Sequence, residues 1–66
     1  MTNKEKETRR VCTLLSNMRE TDGRNYDAKA DQYHKIGDYE NESYYREKAE
    51  DARLDSLIYL EFGNMI

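Results

Sequence analysis

MRETDGRNYDAKADQYHKIGDYE, residues 18–40, contains two of the chain's three glycines, and the reading of those two decides how many helices the fold has. Glycine enters the left-handed backbone region without a steric penalty, so it commonly stands just past a helix end. Gly23 is followed by Asn25, a good N-cap, and by Asp27 in the next turn. Gly37 is followed by Asp38, with Glu40 and Glu42 placed to face a helix N-terminus. Between the two glycines, Tyr26, Ala30 and Tyr33 recur at i, i+4 and i+7. The stretch therefore predicts a short helix at about 26–36 bounded by two turns.

Upstream, Thr2 and Glu5 form a capping box, which places a helix start at about residue 3. Val11, Leu14, Leu15 and Met18 fall on one stripe of that first helix, which should end by about residue 21 ahead of Gly23. Downstream, Asp38 caps a helix over about 39–62, whose inner stripe reads Tyr45, Ala49, Ala52 and then Leu57, with Gly63 as its stop. No segment alternates polar and apolar long enough for a strand. The expected fold is all-α, a single small domain over 1–66 with three helices running up, down and up through short loops.

The core looks thin. Six tyrosines and four alanines account for much of the 36% hydrophobic content, leaving fourteen side chains of the Val, Ile, Leu, Met, Phe and Cys types, while 38% of residues are charged. A 66-residue domain buries only about 60% of its unfolded surface, and the single cysteine, Cys12, excludes an internal disulfide and reads as an ordinary half-buried side chain. Association is the remaining aid to stability. At 1.5 Å per residue, a helix over 26–36 is far shorter than one over 39–62, so Leu54, Leu57, Ile58 and Phe62 should overhang it. Either the first helix or a second copy can cover that overhang. Its apolar residues occupy more than one stripe, which favours a homodimer through these four.

Tyrosine supplies a large apolar body and a hydroxyl that tolerates water, which suits it to binding surfaces. Tyr39, Tyr44 and Tyr45 stand among Glu40, Glu47 and Asp51, a set fitted to grip a basic surface on another protein. The structural reading of the same residues has Tyr26, Tyr33 and Tyr45 filling a narrow interhelix core against Ala30, Ala49 and Ala52. Charge supports an acidic face: residues 1–37 carry eight basic and six acidic side chains, and residues 38–66 carry three and eight. Residues 30–49, ADQYHKIGDYENESYYREKA, resemble the middle of a tetratricopeptide repeat, with a small residue, a tyrosine three on, a G-D-Y turn, a tyrosine pair and a closing alanine. The resemblance implies a helical hairpin about Gly37. It covers less than a third of the chain, has Glu42 and Ser43 where the repeat wants a small residue, and has no second copy, so the family's peptide-binding role is not carried over.

Other classes find little support. There is one histidine, no nucleophile elbow and no phosphate-cradling glycine loop, so no enzyme is expected. Asp31 and His34 at i, i+3 need Asp38 or Glu42 folded back beside them to hold a metal, and a single D-x-x-H is a weak signal, so neither metal nor cofactor is expected. Lys4, Lys6, Arg9 and Arg10, with Arg19 and Arg24, give the alternative of a small nucleic-acid-binding regulator, but interleaved glutamates and a pI near 5.1 oppose a phosphate backbone. No apolar run is long enough for a bilayer and no signal peptide stands at the start, which makes the cytoplasm the default address. The reading that survives is a small acidic regulator or inhibitor, non-enzymatic, acting on another protein that is itself basic or binds nucleic acid. Its size matches the products that phages and mobile elements encode.

Overall fold

A computed structural model of the chain describes residues 2–65 and contains two helices, α1 (Asn3–Lys35) and α2 (Tyr39–Asn64). The all-α class is as expected, but the three-helix arrangement is not: the segments read as helices at about 3–21 and 26–36 are one continuous helix. The molecule is a helical hairpin of 53 × 13 × 10 Å.

Both outer helix starts and the turn obey the local rules. Thr2 caps α1, its hydroxyl oxygen accepting from the Glu5 backbone N–H at 3.2 Å and donating to the Glu5 carboxylate at 3.0 Å. At the other end Gly37 adopts φ 77°, its N–H donating to the carbonyl of His34 at 3.1 Å while the Asp38 N–H reaches that of Tyr33 at 3.0 Å. These two bonds satisfy two of α1's last carbonyls and reverse the chain. Asp38 then caps α2 by accepting from the Asn41 N–H at 3.2 Å.

Gly23 works differently. Gly37 is the only described glycine with positive φ, and the helix runs through Gly23 without a break. A Cβ at Gly23 would stand 3.4 Å from the carbonyl oxygen of Ala49 and 3.8 Å from the Cβ of Ala52. Gly23 therefore faces α2 across the seam, where a Cβ would only just reach van der Waals contact, and the packing around it carries the roughly 1 kcal/mol that a helix-interior glycine costs. Gly63, read as a stop, also lies inside its helix, where a Cβ would meet that of Cys12 at 3.1 Å.

The seam between the helices follows from these contacts. Its buried residues are Cys12, Ser16, Gly23 and Ala30 on α1, and Ala49, Ala52, Ser56 and Gly63 on α2. On α2 the spacing runs 3, 4 and 7, the repeat of helices that coil around one another. Every one of these side chains is small. Ser16 and Ser56 are kept satisfied by each other: the Ser16 hydroxyl donates to the Ser56 carbonyl at 2.9 Å, and the two hydroxyl oxygens lie 2.8 Å apart. Larger side chains fill the seam only near the turn, where Tyr45 stacks on Tyr33 with ring centroids 5.5 Å apart and on Tyr26 at 6.2 Å. The three tyrosines thus meet between the helices, half-buried, while Ala30, Ala49 and Ala52 are fully buried.

The expected apolar core does not. Val11, Leu14 and Met18 are 46%, 55% and 62% exposed, and Leu57, assigned to the inner stripe, is 58% exposed while its neighbour Ser56 is buried. The overhang argument also fails in its premise. At 33 and 26 residues the helices span about 50 and 39 Å, so α1 outruns α2 rather than the reverse. Leu54, Ile58 and Phe62 are nevertheless exposed, each with α1 running alongside.

Candidate functional site

The two flanks of the hairpin are marked by ion pairs between the helices. On one, Arg19 of α1 meets Asp55 of α2 at 3.0 Å and Asp22 of its own helix at 3.1 Å. Partial burial works against the charge on Arg19, but these hydrogen bonds outweigh it and hold its pKa above the ordinary guanidinium value. On the other, Asp27 of α1 accepts from Arg53 at 2.6 Å and from Arg46 at 3.3 Å, and Arg46 also reaches Asp31 at 2.7 Å and Glu42 at 3.4 Å. Hydrogen bonding to Arg53, against some desolvation and with help from Arg46, lowers the Asp27 pKa below 3.8. The hydrogen bond to Asp31 does most to raise that of Arg46. Each bridge is too exposed to contribute much alone, but together they fix the register of the two helices.

This second network occupies the residues considered for a metal. The turn does bring Glu42 back to His34, whose Nδ1 lies 3.0 Å from the carboxylate. Asp31, however, faces the Arg46 guanidinium, which is thus the cation these carboxylates hold. Among the described residues, no three His, Cys, Asp or Glu side chains converge as metal ligands.

Of the six residues expected to bind a partner, α2 places four on one stripe: Glu40, Tyr44, Glu47 and Asp51 stand at i, i+4, i+7 and i+11, all exposed. Tyr39, at the first turn of α2, packs the edge of its ring on His34 with centroids 5.9 Å apart and is otherwise exposed. Tyr45 turns inward to the seam and touches the stripe only through Tyr44, whose ring meets it edge-on at 5.1 Å. Among the described residues, Glu40, Glu47, Glu50 and Asp51 take part in no salt bridge, whereas Asp22, Asp27, Asp31, Glu42 and Asp55 all do. The acidic groups of this half thus divide into an inner set that ties the helices together and an outer set open to solvent.

Two lysines were not anticipated. Lys48 lies over the Tyr44 ring and Lys29 over the Tyr45 ring, each 5.2 Å from the centroid, and with Asn25 and Tyr26 they line an open cleft on the Arg19 flank. Lys48 follows Tyr44 at i+4, a spacing legible in sequence. The Lys29 contact depends on the pairing register and is not.

The basic cluster of α1 is only partly paired: among the described residues Lys4 and Lys6 take part in no salt bridge, and Arg10 and Arg24 stay largely exposed in theirs. Arg9 donates to the Gly63 carbonyl at 3.3 Å, Arg19 is tied up as above, and Arg10 and Arg24 pair with Glu7 and Glu20 at 3.8 and 3.4 Å. No described helix is long and apolar enough to cross a membrane. No protein-family model, curated protein or solved structure matches the chain.

Proposed function

We propose that the protein is a non-enzymatic binding module that engages a basic surface of another protein through the outer stripe of α2, at the turn half of the hairpin, in the manner of a cytoplasmic regulator or inhibitor. The observation that carries this reading is the row of acids without ion-pair partners among the described residues, Glu40, Glu47 and Asp51, with Tyr44 between them. Carboxylates already committed to arginines inside the hairpin have little left to offer a partner, whereas this row is free to make new charge-assisted contacts. Tyr44 adds apolar area at low entropic cost, and it is held upright by Tyr45 beneath and Lys48 beside it. Between Lys35 and Tyr39 the chain is locked by the Gly37 turn, so the stripe is presented on a rigid element.

The test is capture from lysate by wild-type protein and by the triple variant Glu40→Lys, Glu47→Lys, Asp51→Lys, followed by titration of the captured partner at two salt concentrations. The expected result is loss of capture in the variant and weaker wild-type binding at high salt. A partner retained equally by both proteins, with affinity indifferent to salt, would sink the proposal.

A further inference from the structure

The half of the hairpin away from the turn carries a surface that the partner reading does not use. Helical spacing sorts its apolar residues onto the two flanks already marked by ion pairs. On α1, Met18, Leu15 and Val11 precede Asp22 by four, seven and eleven residues and so share the Arg19 flank. On α2, Ile58 and Phe62 follow Asp55 by three and seven and share it too. Tyr59, half-buried, lies between them and the seam. Leu57 and Leu60 follow Arg53 by four and seven and belong to the opposite flank, where they line a hollow with Glu20 and Arg53. The Arg19 flank is thus apolar across both helices.

We infer that this flank is covered by a second copy of the chain, packed antiparallel so that the apolar halves overlap and form four helices in two layers, with the two turns at opposite ends. Three observations select that occupant. First, the hydrophobic core of one hairpin consists of Cys12, Ala30, Ala49 and Ala52, while its large apolar residues lie outside. A helix pair buries its apolar stripes only against a second layer, which a copy of the chain supplies in equal amount. Second, the six side chains of this flank present on the order of 500 Å² per copy, or about 1,000 Å² across a two-fold pair before rim contacts, the area at which specific interfaces begin. Third, charge sets the direction. Residues 3–20 and 52–65 hold six basic and five acidic side chains, whereas residues 21–51 hold five and nine. A parallel pair sets the two acidic halves side by side, and an antiparallel pair moves them apart.

This inference is independent of the proposed partner stripe, since it uses the other half of the molecule. Three measurements test it. Light scattering and the melting temperature of wild-type protein should show a mass of twice 7.9 kDa and a melting point that rises with concentration. A monomeric mass with a concentration-independent melt overturns the proposal, and both readouts use the unmodified chain. Phe62→Glu should weaken the dimer on the order of 30-fold or more, as for a buried interface anchor, while Leu57→Glu on the far flank should leave it within about threefold. Equal loss in both variants overturns the assignment of the flank. Finally, spin labels at Ile36→Cys in a Cys12→Ala background should lie about 60 Å apart, since each turn stands about 21 residues beyond the patch centre. Labels within about 20 Å of each other would instead place the copies in parallel and overturn the charge argument.

Discussion

Replacing Gly23 with alanine distinguishes a helix that stops at that residue from one that runs through it, because the two arrangements predict opposite signs. If Gly23 ended a helix in the left-handed region, an added Cβ would strain the backbone and destabilise the protein by about 1 kcal/mol or more. In the continuous α1 its φ is not positive. Alanine then gains the full helix-propensity difference, about 0.8–1.0 kcal/mol. Against this stands the seam: the new methyl carbon would lie 3.4 Å from the Ala49 carbonyl oxygen, 3.4 Å from Cγ of Arg53 and 3.8 Å from Cβ of Ala52. The Arg53 contact yields by a small rotation of a flexible side chain and the others are ordinary packing distances. The net expectation is stabilisation of up to about 1 kcal/mol, a rise in melting temperature of about 4–8 °C for a domain of this size. Thermal unfolding followed by circular dichroism at 222 nm, at matched protein concentrations, measures it. A fall in melting temperature would refute the account of Gly23 as a helical residue with room for a Cβ against α2.

Gly63 offers the opposite case: with its Cβ position only 3.1 Å from that of Cys12, Gly63→Val should destabilise by about 1–3 kcal/mol in urea unfolding, and a neutral result would mean that the helices do not touch there. Ser16→Ala leaves the buried Ser56 hydroxyl without its partner and should cost about 1 kcal/mol, whereas the double replacement of Ser16 and Ser56 by alanine should cost less than the sum of the single changes. Because the folded-state pKa of Asp27 is depressed, its contribution is present at neutral pH and is lost as pH falls below 3.8 through the lower folded value. Asp27→Asn should therefore lower stability at pH 7, with the gap narrowing as pH falls into strong acid; a gap that does not narrow there would assign the loss to packing instead.

How much of this could be read in the sequence depends on which physical signal each residue sends. Caps and the one true turn were legible, since Thr2, Glu5, Gly37 and Asp38 act through their immediate neighbours. So was the acidic stripe Glu40, Tyr44, Glu47 and Asp51, which needs only the helical repeat. Hydrophobic periodicity misled at Val11, Leu14 and Met18 because it assumes that the largest apolar side chains face the nearest helix. Here that helix is met by Ser16, Gly23, Ala49, Ala52 and Ser56, whose spacing of seven on α1 and of three and four on α2 appears only when small residues, not greasy ones, are counted. Gly23 misled for the same reason. A glycine beside Asp22 and Asn25 sends a strong local signal for a turn, and only the opposing backbone at Ala49 reveals that it lies inside a closely approached seam.

That close approach has a consequence for the rest of the surface. A seam of alanine, serine and glycine draws the helices together but removes little apolar area from water, since burial free energy scales with the area covered at about 25 cal/mol per Å². The leucines, methionine and phenylalanine that a wider pair would have taken inside are left on its flanks, most densely in the half away from the turn. In the turn half the flank positions hold arginines, carboxylates and tyrosines, which stay wetted or pair across the seam. The same choice of small seam residues thus makes the hairpin slender, ties its turn half together through charge, and leaves its other half dependent on a second layer. Widening the seam tests that link. With valine at both Ala49 and Ala52 the helices must separate, and the flanking apolar residues lose the flat two-helix surface they share. The inference of a second copy then expects weaker association along with lower stability, in a protein whose exposed residues have not been touched; association unchanged in such a variant would show that the flank does not depend on the seam.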